Sequence, residues 1–161
     1  MTRSPSDEKK CKRSDKDIKL IGKWKATLTR GAETVLEQEG YNVITTNGTE
    51  LLASYLASAA ISATRNPFRF IAIGTNSTAE TSADTALGTE STRATGTASY
   101  TSGAIYSVVA TFASGDGTGA IVEYGLFNSN TAGTMLSRDT ESVINKGAND
   151  VLTVTAQITV S

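Results

Sequence analysis

Histidine is missing from this chain of 161 residues, which also holds one cysteine and only two prolines. Without histidine, Ser-His-Asp and Cys-His catalysis are excluded, and the commonest ligand of zinc, copper and non-haem iron is lost. The lone Cys11 has no partner for an intramolecular disulfide and matches no nucleophile motif. We interpret it as an incidental exposed thiol, with an intermolecular disulfide as the alternative.

Long apolar runs are also missing. The longest spans residues 51–61, is interrupted by serines and is too short to cross a bilayer. The charged N-terminus lacks the apolar segment of a secretory signal. We therefore expect a chain that is made in the cytoplasm and has no membrane partner, so that a larger assembly must carry it if it leaves the cell.

Charged residues make up only 19% of the chain, and Thr, Ala, Ser and Gly dominate it. Short and β-branched side chains favour many short strands joined by small-residue turns. A chain of this length suits one domain plus an appendage. We therefore predict a mainly β fold, an antiparallel β-sandwich or barrel-like domain with one α-helix and an extended N-terminal arm.

The helix is predicted at residues 47–62. Asn47 is the expected N-cap and Glu50 follows three residues later, which is a capping-box arrangement with Asn in place of Ser or Thr. An apolar stripe at helical spacing predicts that the helix packs on a sheet. The stripe consists of Leu51, Leu52, Tyr55, Leu56, Ala59 and Ala60.

Strands account for most of the remaining chain. Strict alternation over residues 151–160 predicts a half-buried antiparallel strand. Hairpin turns are expected at Ser102-Gly103 and at residues 115–119. Residues 18–28 are interpreted as a strand that could add to a neighbouring molecule. The other predicted strands are residues 33–38, 41–45, 69–73, 94–101, 105–113, 120–127, 134–138 and 141–144.

Charge divides the chain into two parts. Residues 1–30 hold ten Lys and Arg against four Asp and Glu, whereas residues 31–161 hold five against twelve. We therefore predict a basic N-terminal arm at 1–30 and a β-rich body domain at 31–161. Such arms bind anionic partners. The acids interleaved with the lysines favour an acidic protein surface over nucleic acid, and a solvated tail that only aids solubility is the alternative.

The arm residues expected to bind the partner are of two kinds. Cations would steer the arm towards an acidic surface, and apolar side chains would be buried on docking. The residues are Lys9, Lys10, Lys12, Arg13, Lys16 and Lys19, with Ile18, Leu20, Ile21 and Trp24 as apolar anchors.

No motif in the sequence predicts catalysis, a cofactor or a metal site. Residues 115–119 read Gly-Asp-Gly-Thr-Gly, but they lack the Gly-Lys-Ser/Thr ending of a P-loop and lie between two predicted strands. Several carboxylates could pair for glycoside hydrolysis, yet they fall at predicted strand ends and turns, so we expect solvated edge charges. These are Asp116, Glu123, Asp139, Glu141 and Asp150.

A long acidic loop is predicted at residues 74–91. Its carboxylates Glu80, Asp84 and Glu90 are spaced four and six residues apart, unlike the alternating ligands of a calcium loop. Loops of this length are uncommon in compact domains unless they bind something. We expect this one to bind a ligand or to cover a neighbouring subunit.

A succession of turn and strand motifs covers roughly three quarters of the chain. It comprises Tyr41-Asn42-Val43-Ile44-Thr45-Thr46-Asn47-Gly48, Phe70-Ile71-Ala72-Ile73-Gly74-Thr75, Ala86-Leu87-Gly88-Thr89-Glu90, Glu123-Tyr124-Gly125-Leu126-Phe127-Asn128, Met135-Leu136-Ser137-Arg138 and Lys146-Gly147-Ala148-Asn149-Asp150-Val151-Leu152-Thr153-Val154-Thr155. This succession resembles a family of small structural proteins of tailed bacteriophages, described as head decoration, neck or tail-fibre components. The resemblance implies a location in the virion after synthesis in the host cytoplasm.

We therefore expect a non-enzymatic virion protein, with capsid decoration as a cement protein as the first choice. One short domain with an arm suits a surface cement and lacks the repeated shaft segments of a fibre. The alternative is a neck, tail or fibre-associated protein with a receptor-binding role, which would need an exposed cluster of Tyr and Trp. A hydrolase or depolymerase is disfavoured by the missing histidine.

Assembly is expected to involve other virion proteins and the chain itself. The arm would attach the protein to a major capsid or tail protein. Small Thr, Ala and Ser side chains predict a thin core, so that burial between subunits should add stability. A homo-oligomer, either a trimer or a dimer, is therefore predicted.

Overall fold

Nine strands and one helix make up the part of the chain that the computed structural model describes, residues 18–57 and 66–161. All strand pairings in this part are antiparallel. The predicted mainly β, barrel-like fold with one helix is confirmed. The elements are β1 Leu20–Arg30, β2 Glu33–Ile44, α1 Thr46–Ala57, β3 Phe70–Gly74, β4 Glu90–Thr95, β5 Thr97–Thr101, β6 Ile105–Phe112, β7 Gly119–Phe127, β8 Met135–Lys146 and β9 Asp150–Val160.

The strands form one sheet that curls almost into a closed barrel. Their order is β4-β3-β7-β8-β2-β1-β9-β6-β5, and the two end strands, β4 and β5, are consecutive in the chain with only Gly96 between them. The Gly96 amide donates to the Arg69 carbonyl at 2.7 Å. A Cβ at residue 96 would lie 2.5 Å from the Val108 side chain, so the corner between the two halves of the sheet requires glycine.

Strand β2 connects the two halves of the sheet. It pairs with β1 over most of its length, but only Val43 and Ile44, at its end, pair with Arg138 and Ser137 of β8. No further ladder joins β2 to β8 among the described strands. The barrel wall therefore has a seam, here called the β2–β8 seam, where the rest of β2 faces the second half of β8.

Alternate side chains of the strands form one core. The predicted alternation in β9 is confirmed, since Leu152, Val154 and Ala156 are fully buried while the residues between them are half-buried. The same buried cluster contains residues of both halves of the sheet. Its other large members include Leu28, Ile71, Ile73, Val108, Phe112, Ile121, Tyr124, Leu126, Leu136 and Ile144.

Helix α1 is capped by Thr45. The Gly48 amide donates to Thr45 Oγ1 at 3.0 Å, and the Thr45 amide donates to the Leu136 carbonyl of β8 at 2.9 Å. Because β8 holds Thr45 in this way, the helix starts at Thr46, before the expected position. The prediction that Asn47 caps the helix, with Glu50 completing a capping box, is wrong.

The apolar stripe of α1 packs on the barrel only in part. Leu51, Leu52 and Tyr55 are partly buried against the core, as predicted. Leu56 is 91% exposed, so its predicted packing is wrong. The remaining stripe residues, Ala59 and Ala60, and the predicted helix end at residue 62 lie outside the described residues.

Several predicted strands have different bounds in the structure. β2 and β8 are each continuous where two short strands were expected, and the predicted strand 94–101 is divided at Gly96. The Ser102-Gly103 turn joins β5 to β6 as the expected hairpin. The turn at 115–119 instead links β6 to β7, which lie in different halves of the sheet and do not pair, so a hairpin there is wrong.

Strand β1 is a central strand of the body. It pairs with β2 on one side and along its whole length with β9 on the other, and its Trp24, Ala26 and Leu28 are buried. The predicted boundary between an arm at 1–30 and a body at 31–161 is therefore wrong, and so is the addition of residues 18–28 to a neighbour. The rest of the predicted arm, residues 1–17, lies outside the described residues.

Candidate functional site

The residues predicted to bind a partner do not form one site. Within the described chain, Ile18 is 81% exposed and Lys19 is also exposed. Ile21 is 42% exposed, and Leu20 is half-buried. Trp24 is only 3% exposed. The other predicted contacts, which lie outside the described residues, are Lys9, Lys10, Lys12, Arg13 and Lys16.

Trp24 is a core residue. Its ring lies 5.9 Å from the Tyr124 ring, centroid to centroid. The Asn42 amide, in the orientation that satisfies its neighbours, accepts the Trp24 indole N–H at 2.7 Å. Because both the ring and the indole N–H are satisfied inside the barrel, the predicted role of Trp24 as an anchor for another protein is wrong.

An apolar groove of about 380 Å³ lies beside α1. Leu20, Leu52, Phe68 and Tyr106 are among its lining residues, and the Tyr106 hydroxyl donates to the Phe68 carbonyl at 2.7 Å. The described chain begins at Ile18, two residues before Leu20. We call this part of the barrel the apolar end.

Large apolar side chains are also exposed beside this groove. Leu56 follows Tyr55, a lining residue, and is 91% exposed, whereas Tyr100 is 76% exposed and lies directly opposite Tyr106 in the β5–β6 pair. Exposed apolar side chains that adjoin a groove mark surfaces suited to protein contacts. The apolar end is thus a candidate contact surface, and the described chain enters the barrel beside it at Leu20.

Residues 75–89 cover the outer face of the sheet over β3, β7 and β8, and we call this segment the strap. It is held by Glu123, which is fully buried. Glu123 Oε1 accepts the amides of Asn76 at 3.1 Å and Thr89 at 2.7 Å, and Oε2 accepts the Gly88 amide at 2.8 Å. The acidic loop that was expected to bind a ligand or cover a neighbour therefore covers the sheet of its own chain.

Arg138 of β8 also joins the strap to the sheet. Its guanidinium donates to Glu123 Oε2 at 3.0 Å, to Asp84 Oδ2 at 2.8 Å and to the Thr78 carbonyl at 3.0 Å. Burial alone would lower the pKa of Arg138, but its hydrogen bonds to the Asp84 and Glu123 carboxylates and their negative charges outweigh burial and raise that pKa. Two of these bonds, to Asp84 and Thr78, tie the strap to the buried Arg138 side chain, and the third joins Arg138 to Glu123 of β7.

Apolar packing completes the attachment of the strap. Leu87 joins a second small cluster with Ala72, Phe127 and Met135 on the outer face. A Cβ at Gly74 would lie 2.4 Å from the Thr89 carbonyl oxygen and 2.5 Å from a Glu123 carboxylate oxygen. The strap therefore approaches β3 so closely that only glycine fits there.

All three carboxylates of the predicted acidic loop are occupied within the chain. Glu80 accepts from the Thr140 hydroxyl, Asp84 pairs with Arg138, and Glu90 pairs with Arg93 at 2.7 Å. Among the described residues, no group of three or more acidic or cysteine side chains is placed to hold a metal ion. The geometry gives the strap a structural role.

The carboxylates considered for glycoside hydrolysis are mostly buried. Glu123, Asp139 and Asp150 are each no more than 1% exposed, so the expectation of solvated edge charges is wrong for them. Asp150 accepts from Arg30 Nε at 2.8 Å, and this bond, with the Gly147 amide, lowers the pKa of Asp150 to about 2. Asp116 lies exposed in its turn, as predicted.

The three buried carboxylates do not face one common cleft. A glycosidase needs two carboxyl groups that face one cleft with room for the sugar. Glu123 is covered by the strap, Asp150 is held by Arg30, and Asp139 faces the interior of the barrel. Sequence reasoning missed the Glu123–Arg138 pair, and a charged residue within the apolar run Met135-Leu136-Ser137-Arg138 was the available signal.

A second groove, of about 370 Å³, lies on the outer face of β1, β2 and β9. Lys23, Lys25, Glu39, Tyr41 and Gln157 are among its lining residues. The Lys23 ammonium lies 5.1 Å from the centroid of the Tyr41 ring, which is 68% exposed. The lining is mostly polar, with Tyr41 as an exposed aromatic side chain, an arrangement that suits a polar ligand.

Comparison with protein-family models, with curated proteins and with solved structures finds no match to this chain. None of the helices within the described ranges has the length and apolar character needed to cross a bilayer.

Proposed function

We propose that the protein is a non-enzymatic structural component of a bacteriophage virion, a capsid decoration or cement protein. It attaches to a major capsid or tail protein through its N-terminal residues and the adjoining apolar end. The proposal combines the resemblance of the motifs to phage structural proteins with the surface chemistry of the barrel.

The observation that carries the proposal is the position of the apolar end. The groove and the exposed Leu56 and Tyr100 offer apolar surface for burial, and in the sequence the basic residues 1–17 directly precede Ile18, two residues before the groove-lining Leu20. Burial of apolar surface supplies the affinity, and basic residues steer the approach to an acidic partner. In this proposal the two parts of the attachment are neighbours in the sequence, and Trp24 takes no part.

The disposition of the carboxylates supports a structural role. Glu123, Asp84, Glu90 and Asp150 are each paired with an arginine, which leaves none of them free to act as a base or nucleophile. The Arg138 pairs hold the strap on the sheet, and the Arg30–Asp150 pair joins the end of β1 to the start of β9. The purified protein should accordingly show no turnover of polysaccharide, peptide or ester substrates.

Deleting residues 2–17 tests the attachment without removing β1. Full-length protein should co-sediment with phage particles assembled without it, whereas the truncated protein should stay in solution. Fluorescence of the buried Trp24 serves as the control that the truncated barrel is folded. Full occupancy of particles by the folded truncated protein would rule out attachment through these residues.

Salt dependence separates steering from docking. Charge interactions through the solvent are screened beyond about 8 Å at physiological salt, so raising the salt should slow binding more than it weakens the finished complex.

Mass measurement in dilute solution and on particles should show a trimer or a dimer of the protein. Isolated monomers in both settings would refute the oligomer.

A neck, tail or fibre-associated role with receptor binding is the second candidate. The polar groove at Tyr41, Lys23 and Gln157 is the observation that favours it. If the groove binds a surface sugar of the host, Tyr41→Ala should abolish adsorption of the purified protein to host cells. A Tyr100→Ala variant, which removes an exposed tyrosine away from the groove, is the matched control.

A further inference from the structure

Two buried polar atoms face the interior of the barrel without a partner. The Tyr124 hydroxyl and Asp139 Oδ2 make no hydrogen bond within the described chain. The two residues lie directly opposite each other on β7 and β8, and neither is more than 2% exposed. Buried polar groups are normally paired, because an unpaired one forfeits its hydration.

A small cavity connects these atoms with the β2–β8 seam. Its volume is about 10 Å³, which is room for about one water molecule. Trp24, Gly40, Tyr124, Asp139 and Glu141 are among the lining residues. The unpaired Asp139 and Tyr124 side chains therefore meet at a stretch of barrel wall where no ladder joins β2 to β8.

Gly40 brings the backbone of β2 against the carboxylates of β8. A Cβ at this position would lie 1.9 Å from Glu141 Oε1 and 3.1 Å from Asp139 Oδ2. Beside it, Gln38 Nε2 donates to Glu141 Oε2 at 3.2 Å. The seam is thus closed by contacts between β2 and the two carboxyl groups.

The charged groups around Asp139 are all of one sign. Glu141 on β8 and Glu80 in the strap approach it, while Trp24 of β1 and the Tyr124 hydroxyl of β7 bring no charge. Glu39 of β2 also lines the cavity, but its side chain is largely exposed and pairs with Lys25 at 3.7 Å. Val154 is the contribution of β9, and no Lys or Arg lines the cavity within the described chain. An ionised carboxylate buried among carboxylates is strongly disfavoured, and a bound proton removes the cost.

The outer face of the same strand shows the contrast. Arg138, the residue before Asp139, neutralises Glu123 there. On the inner face, burial first, and then Glu141 and Glu80, raise the pKa of Asp139 to about 7. Strand β8 therefore carries an arginine paired with a carboxylate on its outer face and a carboxyl group without a cation on its inner face.

We propose that Asp139 is a proton-binding residue of the seam, protonated while the β2–β8 seam is closed, and that its ionisation opens the seam by drawing water to the carboxylate. Protonation makes one carboxyl oxygen a hydrogen-bond donor, and a water molecule in the cavity can accept that bond. The proposal is independent of the function proposed above.

Carboxyl-carbon NMR of the full chain measures the proton directly. The Asp139 side chain should titrate near pH 7, and Glu141→Gln, which removes a neighbouring negative charge, should lower that midpoint. A midpoint near 4, the usual value for an aspartate, would overturn the proposal. So would a midpoint that falls on addition of calcium, because a cation would then be the ligand.

Hydrogen exchange measures the opening of the seam. Protection of the Gln38 and Gly40 amides should fall about tenfold or more as the pH rises through the Asp139 midpoint. Asp139→Asn should abolish that change. Glu37→Gln, which replaces an exposed carboxylate on β2, should leave the change intact. Equal loss of protection in wild type and Asp139→Asn would refute the coupling, and the NMR midpoint remains decisive if the variant does not fold.

Discussion

Replacing Glu123 with glutamine should release the strap from the sheet. The side chain keeps its size, but one carboxylate oxygen becomes an amide group that donates. Glu123 Oε2 accepts from the Gly88 amide and from Arg138, and Oε1 accepts from the Asn76 and Thr89 amides. Whichever way the new amide turns, an N–H group will face other donors.

The cost can be worked from these contacts. Removing one partner of a buried ion pair costs about 3–5 kcal/mol, since the other charge stays buried. Arg138 retains Asp84 at 2.8 Å, which reduces that penalty. A hydrogen bond to a charged group adds about 1.5–3 kcal/mol. We expect Glu123→Gln to lower the free energy of unfolding by about 3 kcal/mol.

Urea unfolding followed by fluorescence is the assay, because Trp24 is the one tryptophan of the chain and is buried. Glu37→Gln is the matched control. Glu37 pairs with Lys25 at 3.4 Å with both side chains about half exposed, so its loss should cost less than about 1 kcal/mol. Proteolytic cleavage within residues 75–89 should also appear in Glu123→Gln. Equal destabilisation by the two variants would refute the reasoning.

Three further predictions concern the barrel. Trp24→Ala should destabilise by about 3–5 kcal/mol in thermal unfolding, and a loss below about 1 kcal/mol would contradict its place in the core. Thr45→Ala should cost about 1 kcal/mol in urea, whereas Asn47→Ala should be nearly neutral, and the reverse order would restore the sequence-based cap. Because the pKa of Asp150 is lowered to about 2, its stabilisation is present above about pH 4 and is lost as the pH falls towards 2. Asp150→Asn should flatten stability over that range, and an unchanged acid limb would contradict the pairing with Arg30.

The strands that could be predicted from the sequence are those that bury only one of their two faces. In β9, Leu152, Val154 and Ala156 alternate with threonines, and the structure buries one set. That pattern is local, so it can be read without knowing any partner strand. The strand break predicted between residues 38 and 41 contains Gly40, which was misleading because extended backbone accepts glycine. The Glu141 side chain of β8 occupies the space that a side chain at position 40 would fill.

The prediction of an arm that ends at residue 30 failed because it rested on the net charge of thirty residues taken together. Lys23 and Lys25 alternate with Trp24 and Ala26, so the cations lie on the outer face while the apolar residues fill the core. A balance of charges hides this period of two, whereas the burial pattern exposes it. β1 is therefore both basic and central in the sheet.

The strap and its ion pairs could not be predicted from local pattern. Arg138 meets Glu123 and Asp84, which lie 15 and 54 residues away along the chain. β8 is buried on both faces only because the strap covers one of them, and a strand with two buried faces loses its alternation. The glycine at position 74, where the strap approaches closely, has meaning only after the partner segment is known.

The strap also limits where another molecule can bind. The outer face of β3, β7 and β8 is already covered by the chain itself, which leaves the polar groove on β1, β2 and β9 and the apolar end. Burial of apolar surface contributes about 25 cal/mol per Å², whereas exposed charge pairs such as Lys25 with Glu37 contribute little. The apolar end, with Leu56 and Tyr100 exposed beside its groove, therefore offers the larger binding free energy. Substitutions of Leu56 and Tyr100 should change assembly while the core and the strap clusters, which contain neither side chain, keep the barrel folded.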